Sequence, residues 1–202
     1  MKKIGLIGGV GTGKSLVAKL IQEHFNAYII KADEVGHQLI KKGYKSYDLI
    51  VDDFGTDILD ENKEIHRGKL SEIVMNDSEK LKRLNAYTHP YIYDYIKEEI
   101  DSVDDKGEYA YLILEVPLMI ESGFDVLVDE ILYVHTDVDI RINRLKGTRN
   151  YSEEKIQRIM DKQLTDDKYK KVADHIIYNN TTVEDTLKQI KKILGGGQYE
   201  NN

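Results

Sequence analysis

Short apolar runs alternate along this chain with longer stretches in which apolar residues recur every three or four positions, the pattern of strands followed by amphipathic helices. Ile4–Ile7 reads as a first strand. Leu16, Val17, Leu20 and Ile21 then recur at helical spacing up to Phe25, with Asn26 as the stop. Ala27–Ile30 is a second, short strand. Amphipathic patterns follow around Val35–Ile50 and Lys69–Val74. A longer one over Ser78–Val103 is expected to break at His89-Pro90, because proline opens a helix more readily than it sits inside one. Tyr109–Val116 is almost wholly apolar, as a strand covered on both faces of a parallel sheet would be. Ile131–Val134 and His175–Tyr178 read as two further strands with a basic helical segment between them. Val183–Leu194 is a last amphipathic helix before Gly195-Gly196-Gly197, read as a flexible tail. Repeated strand-then-helix units predict an α/β fold with a parallel sheet and helices on both faces.

Between the first strand and the first helix lies Gly8-Gly9-Val10-Gly11-Thr12-Gly13-Lys14-Ser15, with the spacing G-x-x-x-x-G-K-[ST]. Glycines let the backbone curl so that successive N–H groups point inward at an anion. A helix starting near Gly13 adds its positive end. Lys14 can then reach the outer phosphates of a nucleoside triphosphate, and the Ser15 hydroxyl can ligate the Mg²⁺ that bridges them. Gly8, Gly11, Thr12, Gly13, Lys14, Ser15 and Leu16 are therefore the expected nucleotide contacts. The three-glycine dinucleotide fingerprint is not matched, so ATP or GTP is the expected ligand.

Composition narrows the classes. With 202 residues, 41% of them hydrophobic, the chain can build one substantial core, or a core with small inserted subdomains. No run approaches the ~18 apolar residues of a membrane span. Met1-Lys2-Lys3 leads straight into the first strand, which leaves no room for an export signal and predicts a cytoplasmic location. The absence of cysteine excludes disulfides, thiolate catalysis and thiolate zinc sites together. The net charge of −7 argues against broad nucleic-acid binding. Charge is uneven, however: Arg141 to Lys171 holds ten Lys and Arg against five Asp and Glu, a local +5 that leaves −12 for the remainder. Such a run is either a solvated helical face or a basic flap over phosphates.

Switch GTPases read guanine with an N-K-x-D segment after a late strand. His135-Thr136-Asp137-Val138 and Asn179-Asn180-Thr181-Thr182 do not supply one, and the chain is short for a motor. A small-molecule kinase fits better: it needs an acid near the acceptor hydroxyl, a substrate-binding insertion and a cationic lid. Asp33, just beyond the second strand, is the acid candidate, since the carboxyl ends of parallel strands converge on one crevice. Its alternative role is to cap a helix beginning near Val35.

These residues resemble the dephospho-coenzyme A kinases along nearly the whole chain. Ile4 to Ser15 looks like the family's opening; Ala32-Asp33 with His37 resembles its second signature. Arg67 with Leu70, Leu84-Asn85-Ala86 and His89-Pro90 fit its substrate-side segment, and Pro117-Leu118-Met119-Ile120-Glu121 its third-strand signature. Arg144-Leu145, Arg149-Asn150, Arg158, Gln163, Lys168 and Ala173-Asp174-His175-Ile176-Ile177 with Asn179 complete the match. The resemblance implies ATP-dependent phosphorylation of the ribose 3′-hydroxyl of dephospho-coenzyme A, with Mg²⁺. It also implies a P-loop core carrying a helical substrate-binding insertion and a helical lid. Asp33 then resembles the general base. Arg67, His89, Pro90 and Glu121 belong to the acceptor side. Arg144 and Arg149 resemble arginines of the lid and nucleotide side, Arg144 as a catalytic cation beside Lys14, and Glu115 would reach the metal through water. Three positions depart from the family pattern: Lys31 stands where an aspartate is usual, Glu115 where the usual acid is one methylene shorter, and the Arg144–Arg149 spacing is one residue longer. The expected organisation is a single P-loop kinase domain over 1–202. Residues 1–34, 108–138 and 172–194 form its nucleotide-binding core, 35–107 the acceptor region, 139–171 the lid and 195–202 the tail. Expected partners are ATP and dephospho-coenzyme A, with no nucleic acid, membrane or obligate protein partner. Another small-molecule or nucleotide kinase, or a non-catalytic P-loop nucleotide-binding regulator, are the alternative readings.

Overall fold

The computed structural model describes residues 1–75 and 77–195. Five strands, β1 (Lys2–Ile7), β2 (Ala27–Lys31), β3 (Tyr111–Glu115), β4 (Glu130–His135) and β5 (His175–Tyr178), form one sheet in the order β2-β3-β1-β4-β5. β1 runs parallel to both β3 and β4, with Ile4 between Ile113 and Glu130, and β4 runs parallel to β5. Because β1 is central and its neighbours run the same way, the segments leaving β1, β3, β4 and β5 all emerge at one edge of the sheet.

By contact density the chain divides into two compact units, 1–30 with 103–202, and 31–102. In the first, Ile4 and Leu6 of β1, Ile113 of β3, Leu132 and Val134 of β4 and Ile177 of β5 turn one face of the sheet inward. They pack against Val17 and Ile21 of α1 (Lys14–His24) and Ile190 and Leu194 of α9 (Val183–Leu194). Several of these side chains are completely buried, and each contributes about 1.5–3 kcal/mol relative to exposure. On the opposite face a Cβ at Gly5 would lie 2.5 Å from Met119 Sδ, so any larger residue there would force the Met119 side chain to shift.

The second unit is helical: α2 (Ala32–Leu39), α3 (Lys45–Phe54), α4 (Arg67–Met75) and most of α5 (Ser78–Lys106). Its own core is Tyr47, Ile50, Ile58, Ile65, Leu70 and Val74. Between α3 and α4 a single turn of 3-10 helix, Thr56–Ile58, leads into an isolated bridge between Leu59 and Ile65, and the Tyr47 hydroxyl donates to the Lys63 carbonyl at 2.5 Å.

Two expectations need correction. The pattern read as continuous over Val35–Ile50 is two helices, α2 and α3, separated by residues 40–44. The break expected at His89-Pro90 does not occur, and α5 runs through Pro90 without interruption. The missing proline N–H removes one ladder bond. The helix nevertheless continues, and Ile96 and Ile100 beyond the proline are buried.

The remaining elements are α6 (Val138–Arg149), α7 (Glu153–Met160) and α8 (Asp166–Val172), so the basic segment is three helices, with a 3-10 turn at Phe124–Leu127 preceding β4. Gly195 closes α9; the rest of the expected tail, 196–202, lies outside the described residues. Among the described residues no helix is long and apolar enough to cross a membrane.

Candidate active site

β1 ends at Ile7 and the chain turns through Gly8, Gly11 and Gly13, all with positive φ (148°, 79° and 90°), before α1 starts at Lys14. Gly13 is the cap of α1 and, having no side chain, makes no side-chain cap bond, so the positive end of the helix is left uncapped at the loop. Side chains are excluded here by space as well as by backbone conformation: a Cβ on Gly8 would lie 2.6 Å from the Val134 carbonyl oxygen, and one on Gly13 2.3 Å from Asn179 Nδ2. Lys14 folds back over the loop, its ammonium donating to the Gly8 carbonyl at 2.8 Å and the Gly9 carbonyl at 3.4 Å. Leu16 packs against the core, and its N–H donates to the Gly13 carbonyl at 3.0 Å.

A buried polar network supports the loop from behind. Thr12, Thr136, Asn179 and Thr186 are each at most 2% exposed, so every polar atom needs a partner. The Thr12 hydroxyl donates to the Gly9 carbonyl at 2.9 Å. The Thr12 carbonyl accepts from Asn179 Nδ2 at 2.8 Å and from the Thr136 hydroxyl at 3.0 Å. Asn179 Oδ1 accepts from the Thr186 hydroxyl at 3.1 Å, and its backbone carbonyl accepts from Arg144 Nη2 at 2.9 Å. Arg144 is thereby held beside the loop; Arg149, at the last turn of α6, is exposed and lies 6.0 Å from the Tyr151 ring centre.

The Ser15 hydroxyl donates to Glu115 Oε1 at 3.3 Å, while Glu115 Oε2 is buried without a hydrogen-bond partner. A hydroxyl beside an under-satisfied carboxylate at the end of a strand is a set of hard oxygen donors that suits Mg²⁺, an ion that takes few protein ligands and completes its shell with water and phosphate. Among the described residues no group of three or more His, Cys, Asp or Glu could hold a metal.

Beyond β4, Asp166 at the start of α8 accepts from the Tyr133 hydroxyl, contacts His135 Nδ1 at 2.7 Å and pairs with Lys170 at 2.5 Å. Burial opposes ionisation of this carboxyl, but the hydrogen bonds from Lys170, Tyr133 and His135 outweigh it and bring its pKa down to about 2. Tyr133 stacks on Tyr169, and burial together with the Asp166 bond pushes the Tyr133 phenol up. Glu121 is exposed on the segment after β3, and its charge acts on Tyr169.

In the helical unit, Asp33 occupies the first turn of α2, which begins directly where β2 ends. Its side chain is exposed, and the helix carries no side-chain cap, so the capping role considered for Asp33 is not realised. Lys31 pairs with Glu34 at 2.7 Å. Arg67 opens α4 and is exposed, as are His89 and Pro90 within α5; desolvation lowers the His89 imidazole below its ordinary range.

Thr136 and Asn179 are each the first residue past a parallel strand, so their place at the sheet's carboxyl edge could have been read from strand ends. Gln163 is among the residues that carry the family resemblance, but neither it nor Arg141 has a local signal that places it at the loop. Arg141 Nε donates to the Val10 carbonyl at 2.9 Å, and Gln163 Oε1 accepts from the Val10 N–H at 2.9 Å.

Comparison with known proteins is consistent from end to end. A family profile described as dephospho-CoA kinase matches residues 2–185. The chain is 37% identical over 193 residues to a dephospho-CoA kinase of Aquifex aeolicus, covering 96% of each chain, and 37% identical to one of Listeria innocua, covering 94% of each. Among solved structures, dephospho-CoA kinase from Campylobacter jejuni superposes with a TM-score of 0.71 at 26% identity, covering 98% of this chain and 100% of that one. Shikimate kinase from Acinetobacter baumannii shares the fold, with a TM-score of 0.55 at 14% identity over 99% and 96% of the two chains. A phosphate-binding loop braced by buried threonines and an asparagine, on a sheet of this strand order, thus occurs within a sequence match that spans the chain, and the chain belongs to the dephospho-CoA kinase family.

Proposed function

We propose that this chain transfers the γ-phosphoryl group of ATP to the ribose 3′-hydroxyl of dephospho-CoA, giving CoA and ADP, with the residue roles set out below. The observation that carries the reading is the loop from Gly8 to Ser15. Its positive-φ glycines and uncapped helix start leave backbone N–H groups for the β- and γ-phosphates, inside a chain whose family performs this phosphorylation. Lys14 would leave its carbonyl partners for the phosphate oxygens, exchanging two neutral acceptors for charged ones. Ser15 and Glu115 would hold Mg²⁺, which supplies charge neutralisation on the phosphates when bound. Arg144, held beside Gly13 through the Asn179 carbonyl, is positioned to offset charge developing on the transferred group. In related sites such a cation is worth about 10³-fold or more.

Asp33 is proposed as the general base. Support comes from its place just past the carboxyl end of β2 and from a side chain not used as a helix cap. Arg67, His89, Pro90 and Glu121 are proposed for the acceptor, Arg149 for the nucleotide, 139–171 as the lid, and the cytoplasm as the setting.

The test is ADP release by purified protein with Mg²⁺ and ATP, comparing dephospho-CoA, adenosine, AMP and no acceptor, with the product weighed by mass spectrometry. Selective turnover with one added phosphate on dephospho-CoA is the expected result. Turnover on another acceptor alone, or intact ATP binding with no turnover, would overturn it in favour of another kinase or a non-catalytic nucleotide-binding protein respectively.

A further inference from the structure

The tip of the phosphate loop is gripped by two side chains that the proposed chemistry does not use. Val10, a residue without side-chain chemistry, has both ends of its backbone engaged: its N–H donates to Gln163 Oε1 at 2.9 Å, and its carbonyl accepts from Arg141 Nε at 2.9 Å. Arg141 Nη2 reaches the same Gln163 oxygen at 3.5 Å, which closes the arrangement into a ring of three residues. The fit leaves no spare volume. A Cβ on Gly9 would lie 2.3 Å from Arg141 Nη2 and 3.0 Å from Gln163 Oε1, and one on Gly11 would lie 3.2 Å from both the Arg141 carbonyl oxygen and Leu145 Cγ. The two gripping residues come from different places, Arg141 from the first turn of α6 and Gln163 from the turn between α7 and α8. The backbone N–H of Gln163 is itself tied to the Met160 carbonyl at 3.1 Å. Burial among protein atoms lowers the pKa of the Arg141 guanidinium, yet arginine remains a cation, and Gln163 and the Val10 carbonyl supply acceptors for it.

We propose that Gln163 and Arg141 are a pair of positioning residues. By holding the two peptide groups that flank the Val10 α-carbon, one through its N–H and the next through its carbonyl, they preset the curl of the loop, so that the N–H groups from Gly11 onward already converge on the nucleotide's phosphates before nucleotide arrives. The six positions between β1 and α1, four of them glycines, can adopt many backbone conformations, and an unconstrained loop would pay that ordering entropy on binding. A hydrogen bond to each of the two peptide groups flanking Val10 removes much of that freedom in advance. The inference rests on the loop being the ATP phosphate cradle, but it does not depend on the identity of the acceptor.

The experiment measures ADP·Mg binding by calorimetry, steady-state constants for ATP and dephospho-CoA, and thermal unfolding without nucleotide, for Gln163→Met, Arg141→Met and the double variant. Methionine keeps the length of glutamine and the aliphatic stem of arginine while removing the hydrogen bonds. Each single variant is expected to weaken ADP binding and raise KM for ATP by roughly tenfold, about the effect of one lost hydrogen bond to a preset peptide, while kcat and KM for dephospho-CoA stay within about twofold. The double variant is expected to be little worse than either single one, because the pair fixes one residue of the loop and its two members touch each other. Unchanged ADP affinity in both single variants would overturn the proposal. So would a hundredfold multiplicative loss in the double variant, or a loss confined to the folded state, in which the unfolding temperature drops and all kinetic constants deteriorate together. Failure of the wild type to turn over dephospho-CoA while binding ADP would instead strike the functional assignment and leave the binding measurement valid.

Discussion

Replacing Asn179 by alanine isolates the support behind the phosphate loop. The carboxamide is 2% exposed and makes two hydrogen bonds, from Nδ2 to the Thr12 carbonyl at 2.8 Å and to Oδ1 from the Thr186 hydroxyl at 3.1 Å. Each is worth about 1 kcal/mol net. Neither partner is stranded by the change: the Thr12 carbonyl keeps the Thr136 hydroxyl at 3.0 Å, and the Thr186 hydroxyl keeps the Thr182 carbonyl at 3.1 Å. The larger penalty for an orphaned buried group is therefore avoided, and the small void left behind adds roughly 1 kcal/mol. The total is about 2–3 kcal/mol, or roughly 4–12 °C in unfolding temperature for a chain of this size. Urea and thermal unfolding followed by circular dichroism measure it. Asn180→Ala serves as the comparison, since Asn180 Oδ1 accepts the Asp137 N–H at 2.9 Å in a solvent-exposed hydrogen bond, and its loss should stay under about 1 kcal/mol. A loss at Asn179 below about 0.5 kcal/mol, or one equal to that at Asn180, would refute the reasoning that the buried network supports the loop.

Lys14→Ala should abolish phosphoryl transfer, and transfer at more than a few per cent of the wild-type rate would remove Lys14 from its role. Asp33→Asn should cut kcat by about 10²-fold or more with ADP affinity within about twofold, read by steady-state kinetics and calorimetry; full turnover would show that another group takes the proton. Glu115→Gln should raise the Mg²⁺ concentration for half-maximal rate several-fold while keeping the fold, and an unchanged Mg²⁺ titration would release Glu115 from metal binding. Asp166→Asn should lower stability at neutral pH. Because the folded pKa is depressed from 3.8 to about 2, the wild-type advantage is full above about pH 4 and is lost as pH falls toward 2, so unfolding curves of the two proteins should converge across that window. Parallel curves down to pH 2 would contradict the Lys170–Asp166–Tyr133–His135 cluster as the cause.

The strands and the nucleotide loop were legible because both are written locally. Alternation of short apolar runs with helical periodicity needs only the residues within each element, and the glycines at 8, 11 and 13 record backbone conformations that other residues resist. His175–Tyr178 and Val183–Leu194 match the structure at both ends for that reason. Pro90 shows the limit of local reading: the rule that proline interrupts a helix is a preference worth a few kcal/mol, and a 29-residue helix with buried residues further along overrides it. The split of the Val35–Ile50 pattern into α2 and α3 is similar, since two helices that bury parts of the same periodic stripe look like one helix until their partners are known.

Sequence alone carried the fold class, the phosphate-binding chemistry and, through motifs spread over the chain, the family. Tertiary structure alone decided strand order, with β1 central, and which distant side chains brace the loop. Arg141 and Gln163 are 22 positions apart and reach Val10 from more than 130 positions away, and Asn179 meets Thr12 across 167. No periodicity encodes such meetings. They exist because parallel strands bring their carboxyl ends to one edge of the sheet, and because a buried carbonyl there must find a donor from whatever segment the fold delivers to it.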